Sequence, residues 1–185
     1  IERMGISALI VEDKKGLKKN SLFGTKVKQE QENIKDFCKK ISVGKKACMS
    51  DDFMIISRIE SLILNKGIKD AIIRSEKYIE AGSDGIMIHD KKTSPNDVFK
   101  FSKIFKKNFP NVPLVVVPSS FNKVKEDQLI DHGFNLVIYA NHLLRASYPA
   151  MLNTAKNILK YSRSYEKQES LMSIKEILNL IPGTK

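Results

Sequence analysis

An α/β fold built on a parallel sheet is predicted for this chain by three observations. Short, unbroken apolar runs recur along it. Segments of helical period lie between those runs. Polar and ionisable residues follow each run. Strands buried on both faces read as continuous apolar stretches rather than as alternation. Regular strand–helix alternation implies parallel pairing through right-handed crossovers.

The elements are taken in chain order. Residues 6–11 (Ile-Ser-Ala-Leu-Ile-Val) form the first apolar run, short enough for a buried strand. The spacing of Ile34, Phe37, Cys38 and Ile41 predicts a helix over 29–41. A second strand is expected at 53–57. A helix follows over 68–81, with Ile68, Ala71, Ile72, Ser75, Tyr78 and Ile79 on one stripe and Gly82 placed to stop it. The third strand is expected at 85–88. Ser94 and Pro95 read as an N-cap and first helical residue before Val98, Phe101, Ile104 and Phe105. Strand four is expected at 114–117, then a short helix over 126–131 that His132-Gly133 terminates. Strand five is expected at 136–139. A long helix over 143–161, broken near Pro149, a polar linker over 162–170 and a last helix over 173–180 complete the pattern. Periodicity alone admits an open doubly wound sheet or part of a (β/α)8 barrel, since a whole barrel takes about 250 residues.

At 185 residues the chain suits one domain with a real core, and 42% hydrophobic with 29% charged residues is ordinary for a soluble globular protein. No apolar run approaches the ~20 residues of a membrane span. The net charge is +11, but 27 of the 32 basic residues are lysines, scattered along the chain. Base readout and bidentate phosphate recognition favour arginine, so the charge describes solvated faces and leaves anionic small substrates compatible. A basic nucleic-acid-binding protein is the remote alternative. Cys38 and Cys48 lack CxxC spacing, which argues against zinc and for a reduced, cytoplasmic setting with Cys38 a buried thiol. Neither a GxGxxG nor a GxxxxGK[ST] motif follows any strand.

The residues after each predicted strand carry the functional signal. They are Glu12-Asp13-Lys14, Arg58-Ile59-Glu60, His89-Asp90-Lys91-Lys92, Pro118-Ser119-Ser120 and Ala140-Asn141-His142. In a parallel α/β fold these ends share one face, where ligand chemistry is placed. Glu12, Arg58, His89 and Asn141 can therefore converge. Each has a structural alternative: Arg58 an ion pair with Glu60, His89 a satisfied core histidine, His142 a cap for the helix beginning at Leu143, Asp90 a turn residue. Glu12 suits a hard cation, bound directly or through water.

Taken together, the motifs Glu12-Asp13-Lys14 with Asn20-Ser21, Arg58-Ile59-Glu60, Met87-Ile88-His89 with Lys91-Lys92, Val116-Val117-Pro118, Ala140-Asn141-His142, Leu144-Arg145-Ala146-Ser147 and Ser173-Ile174-Lys175-Glu176-Ile177 resemble the phosphoenolpyruvate mutase family of the isocitrate lyase/phosphoenolpyruvate mutase superfamily. The resemblance runs over essentially the whole chain. Lyases of the superfamily carry a catalytic cysteine in the first of these loops, where this chain has Lys19-Asn20-Ser21.

The resemblance implies a (β/α)8 TIM barrel, here partial and lacking the first strands. Residues 1–161 would run from about strand four onward. Residues 162–185 would be a linker and a C-terminal helix, exchanged between subunits of a tetramer or dimer or leading into a further domain. It implies an isomerase that interconverts phosphoenolpyruvate and phosphonopyruvate, making the C–P bond of phosphonates, with Mg²⁺ as cofactor and a small molecule as the only substrate partner. Lys14, Lys18, Asn20 and Ser21 would belong to a gating loop. Asn20, Ser21, Arg58 and His89 would bind substrate, with Arg58, His89 and Asn20 catalytic, and Glu12 would hold Mg²⁺ through water. The family's other metal carboxylates lie on strands that this chain does not show, so the 185-residue stretch alone is expected to be inactive. Phosphonopyruvate hydrolase is the nearest alternative. It carries Thr where this chain has Lys19, which favours the mutase.

Overall fold

The computed structural model describes residues 1–17, 20, 21, 26, 28–180 and 183. They form two compact units, Ile1–Ala140 and Asn141–Lys185.

The first unit is built on a parallel sheet of five strands in sequence order: β1 (Ala8–Glu12), β4 (Met54–Ile59), β5 (Gly85–Ile88), β6 (Leu114–Val116) and β7 (Leu136–Val137). Two short segments, β2 (Lys14–Lys15) and β3 (Glu30–Gln31), pair antiparallel beside it. Helices α1 (Ile34–Lys46), α2 (Gly67–Glu80), α3 (Asn96–Asn108) and α4 (Glu126–Asp131) alternate with the strands. Strict βα order with neighbouring strands paired is the arrangement of a barrel wall rather than of a doubly wound sheet, and the sheet is not closed.

The two faces of the sheet differ. On one, Ile59, Ile86, Ile88, Leu114 and Val116 pack with Phe37, Ile41, Ala71, Tyr78, Phe101 and Phe105 from the helices. On the other, Ile56, Met87, Val115 and Val117, with Ile10, Met54 and Ile138 at the margin, form a smaller cluster made of residues on the strands or one position past them. Period-two alternation thus sends odd-numbered β4 residues to the helices and even-numbered ones, Arg58 included, to the helix-free face.

Several expectations need correction. The helix foreseen over 29–41 begins only at Ile34, because Asn33 caps it by accepting the Lys35 N–H at 2.8 Å, while Glu30–Gln31 is extended against Lys14–Lys15. Helix α3 starts one residue late: Pro95, in a helical conformation, is the N-cap, and Ser94 Oγ accepts the Asn96 N–H at 3.4 Å. Cys38 is half-buried rather than buried, its Sγ 3.4 Å from the Lys77 carbonyl. Gly82 (φ 105°) and Gly133 (φ 80°) do follow the caps of α2 and α4, at a backbone conformation that glycine adopts without strain.

In the second unit, α5 (His142–Tyr161) runs unbroken through Pro149. Proline forfeits one backbone hydrogen bond, and here it does not end the helix. His142 is the first helical residue and not a cap. Asn141 holds the N-cap position, with no side-chain capping bond. The segment expected as a plain linker contains a 3₁₀ turn, Tyr165–Ser170. The last helix, α6 (Ile174–Asn179), opens on a reciprocal cap: Ser173 Oγ accepts the Glu176 N–H at 3.2 Å and Glu176 Oε2 accepts the Ser173 N–H at 3.0 Å. Among the described residues no helix is long and apolar enough to cross a membrane.

Candidate active site

Parallel register places Glu12 of β1 beside Arg58 of β4, and Arg58 beside Met87 of β5. The C-terminal ends of three neighbouring strands therefore deliver Glu12, Arg58 and, two residues past Met87, His89. Glu60 stands two residues past Arg58 and turns back to it: Arg58 Nε donates to Glu60 Oε1 at 2.7 Å. Arg58 Nη1 lies 3.3 Å from Glu12 Oε2. Lys14 Nζ is 3.2 Å from Glu12 and 3.0 Å from Glu60. Two carboxylates and two cations thus form a compensated, largely buried ring. Buried charges persist only when paired and hydrogen-bonded.

Ser21 closes the ring. Its hydroxyl donates to Glu60 Oε2 at 2.6 Å and accepts from Lys14 Nζ at 2.9 Å and Arg58 Nη2 at 2.7 Å. One hydroxyl donates once and accepts twice, so Ser21 is fully used. It occupies the two cationic donors that an incoming anion would seek. Asn20, next to it, is exposed. Lys18, assigned with it to the gating loop, and Lys19 lie outside the described residues. Asn141 belongs to the second unit.

Burial opposes the charge of Glu60, yet Arg58, the Ser21 hydroxyl and Lys14 together hold its carboxyl below the ordinary value. His89 goes the other way: burial, then the positive charge of Arg58, push its imidazole down to about 4. It is therefore neutral at physiological pH. Among the described residues its buried Nδ1 has no hydrogen-bond partner. A neutral imidazole with an unused ring nitrogen, beside two cations, can hydrogen-bond an anionic group without adding charge.

The test for a metal is the donor set. Mg²⁺ takes near-octahedral oxygen ligands and keeps several waters. Glu12 Oε2 is buried with no hydrogen-bond partner among the described residues and so offers one oxygen. Lys14 and Arg58 flank that carboxylate. Among the described residues no group of three or more His, Cys, Asp or Glu side chains could hold a metal ion. The donors present do not by themselves fit Mg²⁺.

Behind the ring lies a second polar cluster that sequence reasoning missed. Asp13, wholly buried, accepts hydrogen bonds from the Glu60 N–H (2.9 Å), Gln31 Nε2 (2.7 Å) and the Tyr78 hydroxyl (2.8 Å), with Arg74 Nη1 at 3.3 Å. Burial pushes its carboxyl up to about 6 against the pull of these donors, so it is ionised at neutral pH. The available signal was Arg74, which falls on the apolar stripe of α2 between Ala71 and Tyr78. An arginine on a buried stripe calls for a buried acid.

A family model described as phosphoenolpyruvate phosphomutase matches residues 1–159. The phosphoenolpyruvate phosphomutase of Tetrahymena pyriformis is 32% identical, over 97% of this chain and 59% of its own length. A crystal structure of phosphoenolpyruvate phosphomutase from Streptomyces platensis subsp. rosaceus superposes with a TM-score of 0.88 at 35% identity, covering 97% of this chain and 61% of that one. A crystal structure of phosphonopyruvate hydrolase in complex with oxalate and Mg²⁺ superposes at 0.82 with 32% identity, covering 97% and 60%. The chain thus spans about three fifths of the length of the relatives it matches.

Proposed function

We propose, because the chain belongs to the phosphoenolpyruvate phosphomutase family of the isocitrate lyase/phosphoenolpyruvate mutase superfamily, that its strand-end ring serves the interconversion of phosphoenolpyruvate and phosphonopyruvate. The observation that carries the reading is Arg58. Its guanidinium is held at Nε by Glu60 and flanked by Glu12, while Nη2 reaches a hydroxyl that a phosphoryl or carboxylate oxygen can replace. A guanidinium fixed in this way orients an anion and offsets charge as it moves during reaction.

Further roles follow from the same geometry. Neutral His89 donates a hydrogen bond to a phosphoryl oxygen, and Asn20 supplies a second donor. Lys14 adds positive potential. Ser21, released from Arg58 and Lys14 by the substrate, belongs with Asn20 to the segment that covers the site. Cover is chemically necessary because a metaphosphate-like species exposed to water is hydrolysed. In this reading residues 1–161 are part of a barrel. Residues 162–185 are a linker and a helix exchanged between subunits of an oligomer or leading into a further domain. Mg²⁺ is included because the similar hydrolase structure contains it. When bound, it would neutralise substrate charge, with Glu12 holding it through water.

The second reading is phosphonopyruvate hydrolase, favoured by a solved hydrolase at 32% identity, equal to that of the Tetrahymena mutase. Phosphorus NMR of phosphonopyruvate with Mg²⁺ and the full-length gene product separates the two. Conversion to phosphoenolpyruvate is expected. Release of phosphate with pyruvate would establish the hydrolase. An unchanged spectrum would remove both.

A further inference from the structure

Asp13 brackets Arg58. Its backbone N–H donates to the Arg58 carbonyl at 3.0 Å, continuing the β1–β4 ladder one residue beyond β1. Its side chain accepts the Glu60 N–H at 2.9 Å. One residue therefore fixes the peptide groups on both sides of Ile59, and with them the launch points of the Arg58 and Glu60 side chains. Asp13 is itself over-determined. Its carbonyl accepts the Glu32 N–H at 2.9 Å, and its Oδ2 is met by Gln31 of β3 and by Arg74 and Tyr78 of α2. Arg74 also donates to the Glu32 carbonyl at 2.9 Å and to Asp70 at 3.0 Å.

We propose that Asp13 is a positioning residue for the active site. It ties helix α2 and the returning strand β3 to the Arg58–Glu60 segment, and through the Glu60 carboxylate it sets the angle at which Arg58 is presented. Asp13 bonds to the backbone that carries the ring, at the Arg58 carbonyl and the Glu60 N–H. Its influence passes through Glu60, whose carboxylate receives Arg58 Nε, Ser21 and Lys14. The alternative is that Asp13 only fills a polar core and contributes stability. The proposal rests on Arg58 being the orienting group of the function given above.

The variant Asp13→Asn separates the two roles. Asparagine cannot replace the carboxylate in either orientation. With its oxygen toward the Glu60 N–H, its amide NH₂ faces the donors from Gln31 and Arg74. Flipped, the NH₂ opposes the Glu60 N–H. Leu129→Ala is the stability control: Leu129 is fully buried on α4, outside this network, and its truncation leaves a cavity. Tyr78→Phe removes a single donor to Asp13 and serves where Asp13→Asn fails to fold.

The readouts are kcat/KM of the full-length protein on phosphonopyruvate and the NMR position of the His89 imidazole at one neutral pH, assigned by its loss in His89→Gln. Asp13→Asn is expected to lower kcat/KM by roughly 10- to 100-fold, the cost of misplacing a substrate-positioning group, and to displace the His89 signal. Tyr78→Phe should shift both in the same direction by less. Leu129→Ala should lower Tm with neither change. If Asp13→Asn or Tyr78→Phe lowers Tm with the His89 signal and kcat/KM at their wild-type values, Asp13 is structural only and the proposal falls. Should the wild-type protein turn over nothing, the function reading fails by itself, and the His89 signal still decides the role of Asp13.

Discussion

Replacing His89 by glutamine should abolish a loss of stability on acidification that the buried imidazole imposes. In the unfolded chain histidine takes up a proton near pH 6.5, but in the folded protein burial and Arg58 delay protonation to about pH 4. A group whose folded pKa is depressed in this way stabilises the fold above the unfolded value, and that stability drains away as pH falls. The loss begins near pH 6.5 and is complete below about 4. The gap is worth roughly 3 kcal/mol at the acid limit and about 2 kcal/mol by pH 5. His89 is only 6% exposed, so solvent screening does little to reduce it.

The wild-type curve alone would hide this. Asp13 titrates in the opposite sense: its folded carboxyl holds a proton up to about pH 6, against 3.8 when unfolded. Acidification through that window therefore favours the fold by a comparable amount, and the two slopes nearly cancel between pH 4 and 6. The informative quantity is the stability of His89→Gln minus that of wild type, in which Asp13 and Glu60 largely drop out. Urea unfolding followed by circular dichroism, at pH values from about 7.5 down to 4.5, measures it. The difference should move in the variant's favour by about 2 kcal/mol by pH 5. A difference that stays flat across this range would mean that the imidazole protonates as freely in the fold as out of it. The case for a neutral, dehydrated His89 beside Arg58 would then be lost.

Other consequences can be checked independently. Arg58→Ala leaves Glu12 and Glu60, among the described residues, with Lys14 as their only cation, and should cost about 3 kcal/mol in chemical denaturation, the usual penalty for breaking a buried ion pair. Arg58→Lys keeps the charge but not the fork, and should lose on the order of 100-fold in kcat/KM at a site that orients an anion. Gly133→Ala places a side chain at φ 80° and 2.9 Å from Lys106 Cγ, and should lower stability by about 1–2 kcal/mol in a thermal melt. The 185-residue chain on its own should leave phosphonopyruvate unchanged with Mg²⁺ in phosphorus NMR, since its described residues hold no group of three metal-binding side chains. Turnover by that chain would refute this expectation.

The middle of the sheet was legible because β5 and β6 are buried on both faces. Residues 85–88 and 114–116 carry no polar side chain, so periodicity cannot mislead there, and Gly82 and Gly133 stop their helices where backbone conformation requires. Errors came where a local signal competed with a tertiary one. Ile34, Phe37, Cys38 and Ile41 set a helical stripe that reads backwards into 29–31, but Glu30–Gln31 is extended by pairing with Lys14–Lys15, partners fifteen and seventeen positions away. Pro149 looked like a break, whereas the helix passes through it.

Glu12, Arg58 and His89 could be placed together from strand-end positions alone, since parallel topology puts those ends on one edge and register then sets Glu12 beside Arg58. The identity of their partners could not. Glu60 faces Arg58 because residues two apart on an extended chain share a side. The same rule applied to Asp13, one residue past β1, sends it away from Glu12 and toward the helices. There it meets Arg74 and Tyr78, sixty-one and sixty-five residues later in the chain. The motif Glu12-Asp13-Lys14 therefore divides between two surfaces. Glu12 and Lys14 face the ring, while Asp13 faces the core and holds the backbone that carries Arg58. Three adjacent residues that look in sequence like one acidic and basic cluster serve opposite sides of the extended chain where it leaves β1, and alternation along that backbone assigns each to its side.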